Sequence, residues 1–338
     1  MQAAIIEAPG DIRVGTVPDP TPTGGEIVVR VGACGVCGTD LHIADGHLPA
    51  AQYPIVPGHE LAGEVVAVAR DVSHVREGDR VAIDPSLYCG HCRFCRVGRG
   101  NLCENYNAVG VTVPGGAAEY VALPARNAYV VPETLSYQRA ALIEPLSCAV
   151  HGMHVLSARM GDSFLIVGAG TMGLMLLQLA LRGNASKVAV ADLNTERLHR
   201  AHRLGASSIT TDLSSPVEGV DVGFDCVIDA TGVPGAIEAA FDMVKRGGKL
   251  LVFGVAPPES RVSIPPFRIY NDEITVLGSM AVLNSYAPAV ELMVSGAFDA
   301  DALLTETRSL DEYPAALDMV RQGRGVKTQV LPGGPGSS

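Results

Sequence analysis

The chain has 338 residues, 36 of them acidic and 25 basic, for a formal net charge of −11. With no long basic block and no tryptophan, nucleic acid is excluded as the main partner and a small polar or neutral ligand is favoured. Hydrophobic residues make up 47% and charged residues 18%, a globular composition on a chain long enough for two domains.

The opening Met1-Gln2-Ala3-Ala4-Ile5-Ile6-Glu7 has neither a basic lead nor an apolar signal core. The longest apolar run, 173–181, stops at Arg182, well short of a membrane span. A cytoplasmic protein with no membrane partner is therefore expected. Residues 1 to about 150 are short Val/Ile segments, such as 26–31, 63–68 and 79–83, broken by Gly and Pro. That texture predicts an all-β domain with many turns, with Gly58, Gly63 and Gly78 at turns or close backbone approaches. Within it, Cys34 and Cys37 read as C-x-x-C, and His59-Glu60 follow. Spacing alone leaves a redox pair, half a zinc site and a chance dipeptide all open.

Cys89-x2-Cys92-x2-Cys95-x7-Cys103 is more specific. Four thiolates within one loop meet the tetrahedral preference of zinc, and a closed set of four sulfurs leaves no position for substrate. The site is expected to be structural, stapling a loop with little apolar content of its own. Four free or oxidised cysteines would give no reason for the spacing. His91, inside the cluster, is then superfluous.

From about 160 the texture changes to continuous apolar strands at 164–167, 188–191, 208–210, 226–229, 250–253 and 274–277. They alternate with helical periodicity at 172–181, 195–204, 234–244 and 288–295. This predicts an α/β doubly wound parallel sheet. The first strand runs into Gly168-Ala169-Gly170-Thr171-Met172-Gly173, a G-x-G-x-x-G turn in the strand–turn–helix setting that gives it meaning. Gly168 allows the tight turn, Gly170 the approach of a pyrophosphate, and Gly173 the close packing of helix on strand. Asp192 ends the second strand, nineteen residues after Gly173, placed to accept hydrogen bonds from both ribose hydroxyls of NAD and to repel the 2′-phosphate of NADP. Asp192 as a simple helix cap is the alternative. Arg197 faces either the adenosine or solvent, which keeps some NADP tolerance open. After about 285 the pattern gives two more helices and a last strand, 327–331, a tail able to return to the first domain. The closing Gly-Gly-Pro-Gly-Ser-Ser reads as unstructured.

Taken in order, Cys34-Gly35-Val36-Cys37-Gly38-Thr39-Asp40-Leu41-His42, Pro57-Gly58-His59-Glu60-Leu61-Ala62-Gly63, the four-cysteine lobe and the glycine turn resemble the motifs of the zinc-containing medium-chain dehydrogenase family. The resemblance covers essentially the whole chain. Ile143-Glu144-Pro145-Leu146-Ser147 is similar to the branch holding sorbitol and other polyol dehydrogenases and threonine dehydrogenase. The resemblance implies a GroES-like, β-rich catalytic domain over 1–150 and 285–338, with the structural zinc lobe at about 85–105. It implies a Rossmann NAD-binding domain over 151–284. It makes Cys37 and His59 ligands of a catalytic zinc, and Glu60 a ligand or a nearby carboxylate that exchanges with one. Glu144 stands where classical alcohol dehydrogenases carry a further cysteine ligand, and binds zinc directly or through water. Cys34 is packed rather than ligating. Thr39 passes the substrate's hydroxyl proton outward, His42 relays it to solvent, and Asp40 orients His59. Met172, Thr231, Val255, Ser279 and Met280 are implied cofactor contacts.

The expectation is thus an NAD-dependent oxidoreductase with two Zn2+ per subunit, acting on a secondary alcohol of a polyol or sugar alcohol, and a homo-oligomer, tetramer or dimer, built by pairing sheets. Threonine, a vicinal diol or an amino-cyclitol is the alternative substrate. A non-catalytic nucleotide binder with structural zinc would need Cys37, His59, Glu60 and Glu144 to be idle, and the zinc lobe and the proton-relay pattern speak against a methyltransferase, which the glycine motif alone would permit. Sorbitol itself is disfavoured, because Gly278-Ser279-Met280-Ala281-Val282 lacks the arginine that sorbitol dehydrogenases carry there. The loop Asp45-Gly46-His47-Leu48-Pro49 and Tyr53 are candidates for shaping the pocket.

Overall fold

A computed structural model describes residues 1–214 and 222–334 of the chain; residues 335–338 of the tail read above as unstructured lie outside them. Strands β1 (Gln2–Ala8) and β2 (Asp11–Thr16) pair as an antiparallel hairpin. Then come β3 (Glu26–Val36), helix α1 (Gly38–Ala44), β4 (Glu60–Val68) and β5 (Arg80–Ile83). The cysteine lobe follows, with β6 (Ser86–Leu87), α2 (Arg93–Arg96) and β7 (Asn107–Ala108). Next are β8 (Tyr120–Pro124), β9 (Ala128–Val130), α3 (Tyr137–Ala141) and α4 (Ile143–Leu156).

The nucleotide half runs β10 (Ser163–Val167), α5 (Thr171–Arg182), β11 (Lys187–Ala191), α6 (Thr195–Arg203) and β12 (Ser208–Thr210). It continues through β13 (Phe224–Asp229), α7 (Pro234–Asp242), β14 (Val244–Val252), α8 (Pro266–Asn271) and β15 (Thr275–Gly278). The chain ends on α9 (Tyr286–Val294), β16 (Leu304–Ser309), α10 (Tyr313–Arg321) and β17 (Lys327–Leu331).

Two compact units result, Met1–Ser147 with Val282–Ser338, and Cys148–Ala281. In the first, a seven-stranded sheet runs β16-β17-β3-β4-β5-β9, with β8 also on β3. The long β3 is the hub, because its eleven residues leave room for β8 to pair with Glu26–Arg30 and β17 with Cys34–Val36 while β4 pairs along most of its length. Ile27, Val29, Val31, Leu61, Val65, Val81, Val121 and Val330 fill the core there, joined by Ile43 and Ala44 of α1 and by Tyr313, Ala316 and Leu317 of α10. In the second unit the six strands are all parallel, in the order β12-β11-β10-β13-β14-β15, the dinucleotide-fold order. Leu165, Val167, Val227 and Leu250 pack there against Ile237, Ala240 and Phe241 of α7. Among the described residues no helix is long and apolar enough to cross a membrane.

The first unit is β-rich but not all-β, correcting the expectation from its Val/Ile texture. Helices α1, α3, α9 and α10 and the start of α4 belong to it. Helix α1 has only seven residues and is capped by a cysteine, which lies outside the usual Ser, Thr, Asp and Asn signals. Strand β16 was also unforeseen: Leu304-Thr305-Glu306-Thr307-Arg308-Ser309 is half-buried and polar, and it becomes a strand by pairing with β17.

Candidate active site

Helix α1 starts on a reciprocal cap. The Cys37 Sγ accepts from the Thr39 N–H at 3.3 Å, and the Asp40 carboxylate accepts from the Cys37 N–H at 2.9 Å. Ile43 and Ala44, buried in the core, anchor the other end. Opposite, β4 begins at Glu60, so His59 sits on the residue just before the ladder. The two chains meet with Cys37 Sγ 3.3 Å from His59 Nε2. One ligand atom from each of Cys37, His59 and Glu60 lies within 4.8 Å of the others.

The donors fit zinc. A thiolate, an imidazole and a carboxylate are its usual ligands, and bonds of ~2.0–2.3 Å put sulfur and nitrogen roughly 3.5 Å apart. Burial alone pushes the His59 imidazole down, but the Cys37 thiolate, with Asp40 and Glu144 behind it, holds it well above its ordinary value. A divalent cation between sulfur and nitrogen would replace that proton. Cys37 is thus committed to His59 and a backbone N–H, while Cys34 is buried, its thiol pushed well up by burial. This favours a metal over a C-x-x-C redox couple.

Glu60 is 3% exposed, and both its oxygens accept from the Lys327 ammonium, at 2.7 and 2.5 Å. Lys327 is 2% exposed and opens β17. Burial opposes its charge, yet Glu60 and Cys37 hold its pKa above the ordinary lysine value. The sequence reading missed Lys327. Its signal is a lysine at the head of an apolar strand, but its partner lies 267 residues away. Glu144, on the first turn of α4, is buried and acts electrostatically on His59, but stands outside the 4.8 Å group.

Thr39 and His42 are three apart on α1 and so share a face. Both are half-buried, and the His42 and His47 ring centroids are 6.5 Å apart. Asp40 lies fully buried near His59, but without the hydrogen bond expected of it: its Oδ1 and the His59 Nδ1 both lack partners among the described residues. The Tyr53 hydroxyl donates to the Ile43 carbonyl at 2.5 Å, tying the following loop to α1.

In the lobe, Cys89, Cys92, Cys95 and Cys103 bring their sulfurs within 4.8 Å of one another. Sulfur–sulfur distances of 3.5, 3.9 and 4.0 Å match the edge of ~3.8 Å that zinc–sulfur bonds of ~2.3 Å imply. Backbone N–H groups of Cys89, Cys92 and Asn105 donate to these sulfurs. Hydrogen bonds from the backbone, that of His91 foremost, lower Cys89 to about 6. Burial pushes Cys95 up to about 12. Four sulfurs this close cannot all ionise without a cation, so the donor set fits zinc here too. His91 points out of the set, its Nδ1 2.9 Å from the Cys89 carbonyl.

In the second unit, Gly168 has φ +104°, and a Cβ on Gly173 would fall 1.8 Å from the Gly168 carbonyl oxygen, so the turn admits no larger residue at either place. A Cβ on Gly170 would meet nothing within 4 Å, which leaves the α5 N-terminus with no side-chain cap and open to a phosphate. Asp192 is held across this turn: its carboxylate accepts from the Ala169 N–H at 2.6 Å and the Asn194 N–H at 2.8 Å. Arg197 lies on α6, capped by Asn194 rather than Asp192. Thr171 and Met172 open α5, half-buried.

Thr231 follows β13, where the sequence reading missed its organiser. Asp229, fully buried, accepts from the Thr231 N–H and hydroxyl and from the Gly232 N–H, at 3.0, 2.5 and 3.1 Å. An acid at the end of an apolar strand was the available signal. Val255 is 74% exposed, Met280 is exposed, and the Ser279 hydroxyl is buried without a partner among the described residues. Each follows the carboxyl end of β14 or β15. His151 is buried and His154 exposed on α4.

Comparison with known proteins bears on the whole chain. Residues 23–133 match the alcohol dehydrogenase GroES-like domain, and residues 171–295 match the zinc-binding dehydrogenase domain. D-arabinitol dehydrogenase 1 of Uromyces fabae is 36% identical over 98% of this chain and 97% of its own. A Sinorhizobium meliloti 1021 protein described as a zinc-binding dehydrogenase, solved with NADP bound, superposes with a TM-score of 0.93 at 34% identity, covering 98% of this chain and 99% of that one. The rspB alcohol dehydrogenase of Escherichia coli CFT073, solved with NADH, gives 0.90 at 29% identity, with coverage of 98% and 99%.

Proposed function

The chain belongs to the zinc-containing medium-chain alcohol and polyol dehydrogenase family, and from that membership we propose that it reversibly oxidises a secondary alcohol of a polyol or sugar alcohol to a ketone, passing hydride to NAD. The observation carrying this reading is the convergence of Cys37, His59 and Glu60 ligand atoms within 4.8 Å. Cys37 and His59 hold a catalytic zinc, and Glu60, Glu144 or water completes its set. Cys89, Cys92, Cys95 and Cys103 hold a second, structural zinc. When bound, zinc supplies a Lewis acid that eases deprotonation of a hydroxyl, and nicotinamide supplies the hydride acceptor. The chain's own part is to move that proton. Thr39 takes it from the substrate hydroxyl, and His42, on the same face of α1, passes it to solvent. Lys327 orients Glu60 through a hydrogen bond to each carboxylate oxygen.

In the nucleotide unit, Gly168, Gly170, Thr171, Met172 and Gly173 bind the pyrophosphate, Asp192 the ribose, and Arg197 the adenosine edge. Thr231, Val255, Ser279 and Met280 flank the nicotinamide half. The Asp192 carboxylate supports NAD, since a 2′-phosphate would meet its charge. The NADP bound by the S. meliloti relative favours a second reading, NADP use. Likeness to an arabinitol dehydrogenase supports an acyclic polyol. The protein is proposed to be cytoplasmic, and a homodimer or homotetramer. Strand β15, the outermost of its sheet, supports assembly: it leaves Val276 42% exposed, and Phe267 and Tyr270 of α8 are exposed as well.

A screen of polyols, diols and threonine, read by reduced-nicotinamide absorbance with each cofactor, tests this. Turnover of a polyol with NAD is expected. Asp192→Ala should weaken NAD roughly tenfold or more, the worth of one or two charge-assisted hydrogen bonds, and raise relative use of NADP. An unchanged cofactor ratio would remove the case for NAD.

A further inference from the structure

The outward face of the first unit's sheet carries a row of polar side chains with no part in the proposed reaction. Directly opposed register pairs set Tyr120, Arg30, Glu64 and Arg80 side by side across β8, β3, β4 and β5. Their neighbours along the strands, Val29, Val31, Val65 and Val81, are buried in the core, so the row points away from it. Glu64 thus stands between two cations, and it pairs with one of them. The Arg30 guanidinium donates to Glu64 at 2.7 Å. Arg80 has no ion pair or side-chain hydrogen bond among the described residues, and its Nε is buried without a partner.

The Arg80 guanidinium lies instead over the ring of Tyr137, 3.8 Å from its centroid. Tyr137 reaches this place from α3 because residue 32 is glycine: a Cβ there would come within 2.3 Å of the ring. Burial pushes the Tyr137 phenol up, so it stays a neutral donor. These groups line an open pocket of about 480 Å³, with Glu119, Pro332 and Gly333 also on its wall. That volume suits a small organic ligand.

The chemistry of the walls narrows the ligand. The Arg80 Nε is shut off from solvent, so the end of the guanidinium left to a ligand is the Nη1–Nη2 fork, which matches the two oxygens of a carboxylate. Glu64 is taken by Arg30, and the Glu119 carboxylate accepts from the Gln2 N–H at 2.7 Å, so neither satisfies Arg80. Those same acids disfavour a dianion such as phosphate. The tyrosine rings and Pro332 suit a flat or apolar body. We propose that this pocket is a second ligand site, taking a small monocarboxylate with a planar or apolar body, its carboxylate in the fork of Arg80. The site lies entirely within the first unit and does not depend on the proposed reaction.

Benzoate is the probe, titrated calorimetrically into the zinc-loaded protein, with benzamide and inorganic phosphate as controls. Saturable binding of benzoate alone is expected. Arg80→Gln should weaken it about tenfold or more while turnover on the alcohol stays unchanged. Arg80→Lys, which keeps the charge but loses the fork, should weaken it as well. A carboxylate can also reach the catalytic zinc, so a benzoate-soaked crystal provides the second readout, with density beside Arg80 expected even if Arg80→Gln fails to fold. Binding that is equal in wild type and a folded Arg80→Gln would overturn the proposal. So would equal binding of benzamide, no binding up to about 10 mM, or a soaked crystal with nothing at Arg80.

Discussion

Lys327 and Glu60 form a buried pair in which neither side chain is more than a few per cent exposed. Breaking such a pair strands a charge away from water, at a cost of about 3–5 kcal/mol. Lys327→Met is therefore expected to lower unfolding stability by that order, as measured in a urea titration. The double variant Lys327→Met with Glu60→Gln should recover most of the loss, because no net charge is then left buried. Equal losses in single and double variants would show that the pairing is not what matters. At this scale the sequence was uneven. Cys37, His59 and Glu60 were legible only through a family pattern, since a cysteine and a dipeptide 22 residues further on carry little information alone. Lys327 and Asp229 escaped notice because their importance rests on partners that only the folded backbone supplies: an acid on β4 for one, three donors in its own turn for the other.

Among elements, α1 matters most, since Cys37 caps it and it carries Thr39 and His42. Arg321, ending α10, clamps the residue after α1 with two hydrogen bonds of 2.8 Å to the Asp45 carboxylate. The Arg321 guanidinium holds the Asp45 carboxyl below its ordinary value. A carboxyl depressed on folding contributes stability above its unfolded pKa and loses it as pH falls through the folded one. Both partners are partly exposed, at 30% and 45%, so the contribution is under ~1 kcal/mol. Asp45→Asn should be slightly less stable than wild type at neutral pH, and the gap should close below about pH 4. A gap that widens in acid would contradict the clamp.

The cysteine lobe has strands of only two residues, so a zinc held by its four sulfurs would contribute much of its order. Cys92→Ser should lower the melting temperature and thin the zinc content before it touches turnover. Cys37→Ser should abolish turnover and keep the fold. The reverse pattern would exchange the two assignments. The lobe and the glycine turn were readable from spacing because their partners are neighbours in sequence. Helix α1 and strand β16 were not, because one is too short to show a period and the other becomes a strand only by pairing with β17.

Across the whole molecule, the change from Val/Ile segments broken by Gly and Pro to continuous apolar strands announced both architectures. The six strands are all parallel, as such a texture implies, while their order comes from the fold. The polar row over Arg80 was invisible, because alternation along a strand says which residues face outward but not which strands lie next to each other. In the proposed reaction, a zinc held by Cys37 and His59 would serve hydride transfer from the alcohol to NAD. That role is tested most directly by measuring zinc per chain while a chelator strips the working enzyme and NADH formation from a polyol is followed. Two zincs per chain are expected, with turnover falling in step with the first one lost while the fold persists. Full turnover from a chain holding a single tightly bound zinc would contradict the claim.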